Sequence, residues 1–427
     1  MARVLGYLKE RVRTRLMAHA TRDGIDLTRI DKVPESLSWP LNRVGMDPVP
    51  QLGELEPVHK LTSFLGMNIW LVSGAAEARE VLADTTSYSN DIRPLMGRRG
   101  STTDGDIGGL GFTDPPDHTR LRRLLTPEFT MRRLERLRPW IAETVERQLD
   151  EVERQGPEVD LVPTFAFPVP FLVICELLGL PDEDRETFRQ LGSARFDVSY
   201  GGAGSLGAVS ESRRFLMEAT RKQRKDPGPG LIGQIIREHG DEINDFDLGG
   251  LADGVFTGGL ETSASMLALG TAVLLNNRDD YLRLAEDPGS VDRTVEELLR
   301  YLTVVQVSFP RFPKHDLELA GHHVGKGDVV ICHLAGANRD RRAGEGLGTF
   351  DASRPPAAHV AFGHGFHRCV GAELARMELR CAYPALARRF PDLRLAETDL
   401  DFRRLSLVHG VNALPVRLVP AEVPVGR

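Results

Sequence analysis

The most informative segment of the chain runs from Phe362 to Arg376 and reads FGHGFHRCVGAELAR. It places Cys369 after two glycines and at the start of a helical pattern. Free N–H groups and the helix dipole at a helix N-terminus favour negative charge, so Cys369 is a candidate thiolate ligand. Gly363 and Gly371 allow the backbone to approach a flat cofactor closely. The segment therefore indicates a cofactor site organised around one thiolate.

On the residues alone, Cys369 has two alternative roles. Cysteine is often only a buried apolar residue. A zinc site that combines Cys369 with His359, His364 and His367 is the second alternative, although these spacings match no common ligand pattern. The ordered glycines, histidine and cysteine within ten positions favour the thiolate site over both.

The same segment resembles the heme-binding loop of the cytochrome P450 superfamily, FxxGxxxCxG, and it is similar to the bacterial type of that loop. The resemblance implies a mainly α protein with a minor β region, the cytochrome P450 fold, in a single large domain. It implies heme b, with Cys369 as the axial iron ligand and Phe362, Gly363 and Gly371 beside the heme. It also implies that His367 is a hydrogen-bond partner of a heme propionate.

A second segment, residues 247–277, predicts a long helix that is rich in glycine. Gly250, Gly254 and Gly258 are four apart and share one helical face, and the next position on that face is Thr262. Each glycine in a helix interior destabilises the helix by roughly 1 kcal/mol relative to alanine, so three glycines on one face require an explanation. A cofactor that lies against the helix would explain them, and so would close helix–helix packing.

Within this helix, GGLETS at 258–263 resembles the family's [AG]GxxT[TS] segment with an acid before the threonine. In the family, this threonine and acid manage proton delivery during oxygen activation. The resemblance therefore makes Thr262 the proposed relay group and Glu261 the proposed acid.

Glu297 and Arg300 are three residues apart and face the same way on a predicted helix over 292–302. Such a pair is usually only a solvated ion pair. Within VEELLRY, however, it resembles the family's ExxR helix, which the family joins to an arginine of an irregular loop. Arg354 is the candidate for that arginine. The resemblance implies a structural triad that buttresses the loop of Cys369.

The stretch DPPDHTRLR at 114–122 resembles the family's DPPxHxxxR helix start. His118 and Arg122 are four apart, so both can reach one propionate. Arg311 resembles the family's second propionate arginine. Two carboxylates beside an apolar pocket need such partners, because unpaired buried charge is costly.

Composition narrows the function further. The chain has 427 residues, a net charge of -7 and four cysteines without CxxC spacing. This balance does not favour a nucleic-acid partner, a zinc ribbon or an iron–sulfur cluster. No window approaches the roughly 20 apolar residues of a membrane span, and the N-terminus lacks a secretory apolar region, so we expect a cytoplasmic protein without a membrane partner.

The predicted domain organisation is an N-terminal extension over residues 1–44 followed by a cytochrome P450 domain over residues 45–427. Val4, Leu8, Val12 and Leu16 fall on one helical face of the extension. A terminal helix docked on its own body explains this pattern better than a membrane-surface helix, because the stripe is short and lacks Trp or Phe anchors.

The resemblance implies a heme-thiolate monooxygenase that inserts one oxygen atom from O2 into a hydrophobic small molecule, such as a natural-product intermediate. The pattern uses the whole chain, so electrons are expected from a separate ferredoxin and ferredoxin reductase. Arg123, Arg368 and Arg380 are candidate docking cations. The expected substrate lining is mostly apolar: Ile92, Leu95, Met96, Leu110, Val255, Gly258, Val304, Val305, Val307, Leu407 and Val408.

Two alternative functions remain open. A heme protein without oxygenase turnover, such as a sensor or binding module, would lack a use for the Glu261–Thr262 pair. A dinucleotide-dependent dehydrogenase is suggested by GAGSLG at 202–207, which spells GxGxxG. That fingerprint requires a strand before it and another after the following helix, and neither is predicted here.

Overall fold

A computed structural model describes residues 35–64, 67–91, 110–196, 202–404 and 406–418. The predicted N-terminal helix lies outside these residues, as do three of the predicted lining residues, Ile92, Leu95 and Met96. The boundary between extension and domain stays a prediction.

Helices dominate the described residues, as the sequence predicts. They are α1 (Glu35–Ser38), α2 (Ala75–Ala83), α3 (Asp117–Leu125), α4 (Met131–Leu134), α5 (Arg138–Gln155), α6 (Pro168–Leu178), α7 (Asp182–Phe196), α8 (Gly202–Lys225), α9 (Leu231–His239), α10 (Asp245–Asn276), α11 (Arg278–Glu286), α12 (Pro288–Leu302), α13 (Leu334–Ala337) and α14 (Ala372–Arg389).

The β structure is small and divided. The strands are β1 (Arg43–Val44), β2 (Asp47–Pro48), β3 (Val58–Phe64), β4 (Met67–Val72), β5 (Tyr88–Ser89), β6 (Glu158–Asp160), β7 (Phe312–Pro313), β8 (Leu317–Leu319), β9 (His322–Val324), β10 (Val329–Cys332), β11 (Arg394–Leu395) and β12 (Pro415–Arg417). One sheet has the order β10-β4-β3 and another β11-β12-β6, and the remaining strands form two-stranded pairs. β10 runs parallel to β4, and β3 runs antiparallel to it.

The long helix α10 forms the centre of the fold. The Asn244 side chain accepts a hydrogen bond from the Asp247 N–H and caps its first turn. From Ser263 onward nearly every side chain is buried, and the helix packs against α6, α8 and α14. The sequence prediction of a helix over 247–277 is therefore right to within two residues.

Helix α8 begins at Gly202, so the GxGxxG stretch lies inside its first turns. Near the C-terminus, Phe402 pairs with Val411 in an isolated bridge, and β12 joins β6 and β11. Periodicity along the chain does not report such pairing between distant segments.

Helix α10 also corrects the expectation about membrane spans. By length and composition it could cross a membrane, with a mean hydropathy of 1.3 over an 18-residue window. However, 78% of that window is buried inside the protein. A helix at the centre of a folded core meets the same criteria, so the apolar character of α10 is explained by its packing.

A buried ion-pair network holds the irregular chain before α14. Nε and Nη2 of Arg300 each donate to the Glu297 carboxylate at 2.7 Å, and these residues are 2% and 5% exposed. Arg354 Nε donates to Glu297 Oε1 at 3.3 Å. The structure thus brings the three predicted triad residues together.

The same network reaches the cysteine loop through backbone groups. Arg300 also donates to the carbonyl oxygen of Asn338 at 2.9 Å. The Asn338 side chain accepts from the Val360 N–H at 2.7 Å, and the Val360 carbonyl accepts from the Gly363 N–H at 2.8 Å. A chain of hydrogen bonds therefore runs from α12 to the segment that carries Cys369.

We predict that Glu297→Ala destabilises the protein by about 3–5 kcal/mol, because it leaves Arg300 buried without its counter-ion. The thermal midpoint and the soluble yield should both fall. Glu158→Ala is the matched control, since it removes the exposed partner of Arg417, 3.2 Å away. An equally small effect of both substitutions would contradict the buttressing role.

Candidate active site

The cysteine loop is fixed by backbone geometry before helix α14 begins. The Cys369 N–H donates to the Phe362 carbonyl at 2.9 Å, which closes the loop. Gly365 has φ +67°, and a Cβ there would lie 2.6 Å from the Cα of Ala83 in α2. Only glycine accepts both the left-handed backbone and this approach. The loop is therefore pressed against α2, and Cys369 is held at one place.

The environment of Cys369 combines burial with positive charge. Burial raises the pKa of the thiol, whereas the Gly371 N–H and the guanidinium groups of Arg122, Arg368 and Arg376 act in the opposite direction. The side chain is nevertheless accessible. Burial among protein groups and an accessible side chain are both expected of a thiol that faces an internal space rather than bulk solvent. A metal ion on that open side would favour the thiolate, because coordination deprotonates a thiol.

Two histidines meet beside the loop. The rings of His118 and His367 lie 4.3 Å apart, and Phe366 lies 4.4 Å from His118. His367 Nδ1 lies 3.1 Å from the carbonyl oxygen of Leu110. His118 is fully buried, and within the described residues neither of its ring nitrogens has a hydrogen-bond partner. Buried ring nitrogens without partners are costly, so this site is shaped for a polar group supplied by a ligand.

Two arginines complete the polar side of the site. Arg122 interacts electrostatically with His118 and with Cys369, and Arg311 interacts with His367. Burial lowers the pKa of both guanidinium groups. Arg311 is almost fully buried and donates to the carbonyl of Phe309 at 3.0 Å. The structure thus gathers all four predicted propionate ligands around one region.

The glycines of α10 serve two different purposes. A Cβ at Gly249 would lie 2.6 Å from Met217, and one at Gly259 would lie 3.0 Å from Ile174, so helix packing requires both glycines. At Gly254 and Gly258 a Cβ would meet nothing within 4 Å. Helix packing therefore does not explain the second pair, which leaves a smooth, open strip on the helix.

Thr262 and Glu261 lie at the end of this strip. The Thr262 hydroxyl donates to the Gly258 carbonyl at 2.7 Å, so its oxygen lone pairs remain able to accept a hydrogen bond. Glu261 Oε1 accepts from Arg403 at 2.9 Å. The ion pair with Arg403 was not predicted from the sequence, because 142 residues separate the partners.

Several predicted lining residues meet at the C-terminal hairpin, which comprises residues 402–404 and 406–411 of the described chain. Val305 bridges to Val408, and the Gln306 N–H donates to the carbonyl of Leu407 at 3.0 Å. Val304 is buried, whereas Leu407 at the hairpin tip is 56% exposed. Of the remaining predicted lining residues within the described range, Leu110, Val255 and Val307 are half-buried and Gly258 is exposed.

Two groups of candidate site residues were missed in the sequence. Phe112 and Phe309 form an edge-to-face pair with ring centroids 4.7 Å apart, and Phe309 and Phe366 are accessible despite their size. Glu378 of α14 is 2% exposed. Burial raises its pKa to about 8, although the Ser263 hydroxyl bonds to it and acts in the opposite direction. No sequence signal distinguishes Glu378 from a surface glutamate.

The two alternative cofactor sites find no support. No three His, Cys, Asp or Glu side chains of the described residues could together hold a metal ion, and His359 instead pairs with Glu296 at 3.1 Å. The GxGxxG stretch is helical, whereas a dinucleotide fingerprint needs a turn between strand and helix.

Comparison with known proteins agrees with this geometry. Residues 290–399 match the family model described as Cytochrome P450. Cytochrome P450 165B3 of Amycolatopsis orientalis is 38% identical over 386 residues, which cover 88% of this chain and 97% of that protein. The chain belongs to the cytochrome P450 family. Cytochrome P450 monooxygenase PikC of Streptomyces venezuelae is 36% identical over 383 residues, covering 87% and 91% of the two chains.

Solved structures show the same fold. OxyC, a cytochrome P450 implicated in an oxidative C–C coupling reaction during vancomycin biosynthesis, superposes with a TM-score of 0.80. It is 36% identical, and the match covers 88% of this P450 and 95% of that chain. The expected fold and enzyme class are thereby confirmed: this chain is a cytochrome P450 monooxygenase with the P450 fold.

The family implies heme with a cysteine thiolate ligand, and the residues of this P450 fit that group. Cys369 supplies a thiol that faces an internal space. His118 supplies buried nitrogens without a partner in the described part of the chain, and two arginines supply charge for two propionates. Gly254 and Gly258 leave room for a flat ring.

We predict that Glu378→Gln flattens the pH dependence of stability. The pKa of Glu378 is about 8 in the folded protein, against an ordinary value of 4.5, so the folded state binds the extra proton between these values. Wild-type stability should then fall as pH rises from 5 to 8, by at most roughly 1.4 kcal/mol per pH unit. Thermal midpoints of both proteins across that range measure the difference. Parallel curves would refute the assignment.

Proposed function

We propose that this P450 is a cytoplasmic enzyme of secondary metabolism that oxidises a hydrophobic, aromatic natural-product intermediate, and that Cys369 would bind the iron of its heme. The observation that carries the proposal is the arrangement of Cys369 beside buried cationic and unpaired polar groups, with an accessible glycine strip on α10. The alternative of a heme protein without turnover would leave the Glu261–Thr262 pair without a use.

When bound, heme would supply the activation of O2, from which the inserted oxygen atom comes. Cys369 would bind the iron. Arg122, Arg311, His118 and His367 would hold the propionates, because buried carboxylates need cationic or hydrogen-bonding partners.

Proton delivery is assigned to the end of the glycine strip. The Thr262 hydroxyl is oriented by the Gly258 carbonyl at 2.7 Å, and its oxygen can accept a hydrogen bond from a water molecule that carries the proton. Glu261 is the acid that resupplies it, and Arg403 holds its carboxylate at 2.9 Å.

An aromatic substrate is favoured by two observations. The ring of Phe309 is accessible and lies against Phe112 and Gly111, next to the predicted lining residue Leu110, and offset or edge-to-face contacts with a substrate ring add to apolar burial. Relatives of this chain act in antibiotic biosynthesis: StaH belongs to that of glycopeptide A47934, and OxyC to that of vancomycin.

Oxidative coupling of two rings is a second candidate reaction, because OxyC is implicated in such a step. Compounds that shift the ferric heme spectrum would first be selected from aromatic natural products. Mass spectrometry after turnover in ¹⁸O2 then separates the reactions. Hydroxylation adds one labelled oxygen atom, whereas coupling removes two hydrogen atoms and adds no oxygen.

Electrons are proposed to come from a ferredoxin and its reductase. Arg123 and Arg368 are exposed on the cysteine side. Arg123 lines an open surface depression of about 530 Å³ together with Pro115, Pro116, Thr119 and Arg120. Arg380 contributes less free charge, since it lies 2.7 Å from Asp292.

We predict that Cys369→Ser abolishes the red-shifted Soret band of the ferrous–CO complex, because that band reports thiolate ligation of the iron. The matched control is Cys381→Ser, which changes a half-buried cysteine on α14 and should leave the band intact. Retention of the band in Cys369→Ser would rule out Cys369 as the ligand.

We predict that Thr262→Ala uncouples the enzyme. Reductant consumption should continue and hydrogen peroxide should rise. Product formed per reductant consumed should fall at least about tenfold, since positioned proton transfer contributes roughly 10²–10⁴-fold. Thr262→Ser should restore coupling.

Thr257→Ala is the control for a lost hydroxyl on the same helix, because Thr257 also donates to a carbonyl one turn earlier, that of Asp253. Unchanged coupling in Thr262→Ala would assign the relay to another group.

A further inference from the structure

The ion pair between Arg403 and Glu261 joins two elements that are distant in sequence. Arg403 Nη1 lies 2.9 Å from Glu261 Oε1, and the two side chains are 18% and 20% exposed. A pair shielded to this degree interacts more strongly than one on the surface, because less water screens it. Arg403 is therefore placed to fix the direction and the charge of the Glu261 carboxylate.

The backbone of the C-terminal hairpin holds Arg403 in this position. Phe402 pairs with Val411, and the Arg403 N–H donates to the Gly410 carbonyl at 2.9 Å. A Cβ at Gly410 would lie 2.8 Å from the Ser265 hydroxyl and 3.4 Å from the Arg403 guanidinium carbon. The hairpin thus packs directly on α10, one helical turn beyond Glu261.

The tip of the same hairpin reaches the proposed substrate lining. Val408 bridges to Val305, and the His409 N–H donates to the Val304 carbonyl at 2.7 Å. Leu407 is exposed at the tip. One two-stranded element therefore carries substrate-lining residues at its tip and the partner of the proposed acid at its base.

We propose that Arg403 is a positioning residue that holds Glu261 ionised and directed for proton delivery, and that the C-terminal hairpin links substrate contact to this ion pair. The inference rests on the proposed function, since it assumes that Glu261 is the acid. Arg403 acts through Glu261.

Two titratable groups near this junction have pKa values shifted by burial. His409 is buried in the hairpin, and burial, then the charge of Arg43, lowers its pKa to about 3, so it stays neutral above pH 5. Glu378 faces Ser263 from α14, with its pKa raised by burial to about 8. The experiment is therefore repeated in the Glu378→Gln background, which removes that titration.

The test uses the heme-loaded protein and a surrogate ferredoxin and reductase. Hydrogen peroxide release without added substrate is measured from pH 5 to 8.5. In Arg403→Gln the Glu261 carboxylate loses the positive charge of Arg403, and the acid limb of the profile should move to higher pH by about 1 unit, the lower end of the shift that an arginine imposes on a carboxylate. Arg403→Lys keeps the charge and should restore most of the profile.

Arg404→Gln is the matched control, because Arg404 is the exposed neighbour on the same hairpin, and its profile should equal that of the wild type. An equal shift in Arg404→Gln, or none in Arg403→Gln, would overturn the proposal.

A double-mutant cycle provides a readout that needs no turnover. Thermal midpoints are compared for Glu261→Gln, Arg403→Gln and the double variant. If the two side chains form an ion pair, the thermal midpoint of the double variant should be no lower than that of the less stable single variant, since each substitution removes the same interaction. Additive losses would overturn the proposed link between the hairpin and α10.

A selected aromatic ligand tests the link to the substrate. Its affinity, from the shift of the ferric spectrum, should fall about two- to tenfold in Arg403→Gln and remain unchanged in Arg404→Gln; equal affinities would overturn the link. The ferrous–CO band is recorded for every variant. A wild-type protein without the red-shifted band would refute the proposed function, whereas an intact band with unshifted profiles would refute only the role of Arg403.

Discussion

The desolvated thiol of Cys369 is the constraint on which the site depends. An ionised thiolate among protein atoms is costly unless fixed positive charge and hydrogen-bond donors surround it. The fold supplies Arg122 from α3, Arg368 from the loop and Arg376 from α14, together with the Gly371 N–H. These groups converge only if the loop keeps one conformation. Stabilisation of the thiolate therefore requires α3, α14 and the loop to hold fixed positions.

The irregular chain before the loop is held by the buried guanidinium group of Arg300, whose donors are all occupied. Arg300 directs its donors to Glu297 and to carbonyl oxygens of Asn338, Leu347 and Thr349. A guanidinium group has five donors in a fixed plane, so it can join several irregular strands of chain that cannot pair with one another. The buried charge sets the course of the backbone and leaves the chemistry to the residues around the thiol.

Helix α10 packs against the core with one face and borders the proposed site with the opposite face. Its buried face carries large apolar residues such as Phe256, whose ring lies 4.2 Å from that of Phe188. Its opposite face is stripped of side chains at Gly254 and Gly258 and ends at Thr262. The packed face offsets the cost of placing glycines in a helix interior, which lets a smooth strip persist beside the site.

The sequence by itself determined the fold class, the cysteine loop and most helices, because these follow from local patterns. Glycine spacing, the Glu297–Arg300 pair and the DPPDHTRLR stretch are short-range signals of roughly one or two helical turns. Tertiary structure alone decided which α10 glycines face helices and which face open space. It also decided that Glu378 is buried, that Arg403 meets Glu261 across 142 residues, and that Phe402 pairs with Val411. These facts depend on contacts between distant segments, and neither periodicity nor spacing along the chain records such contacts.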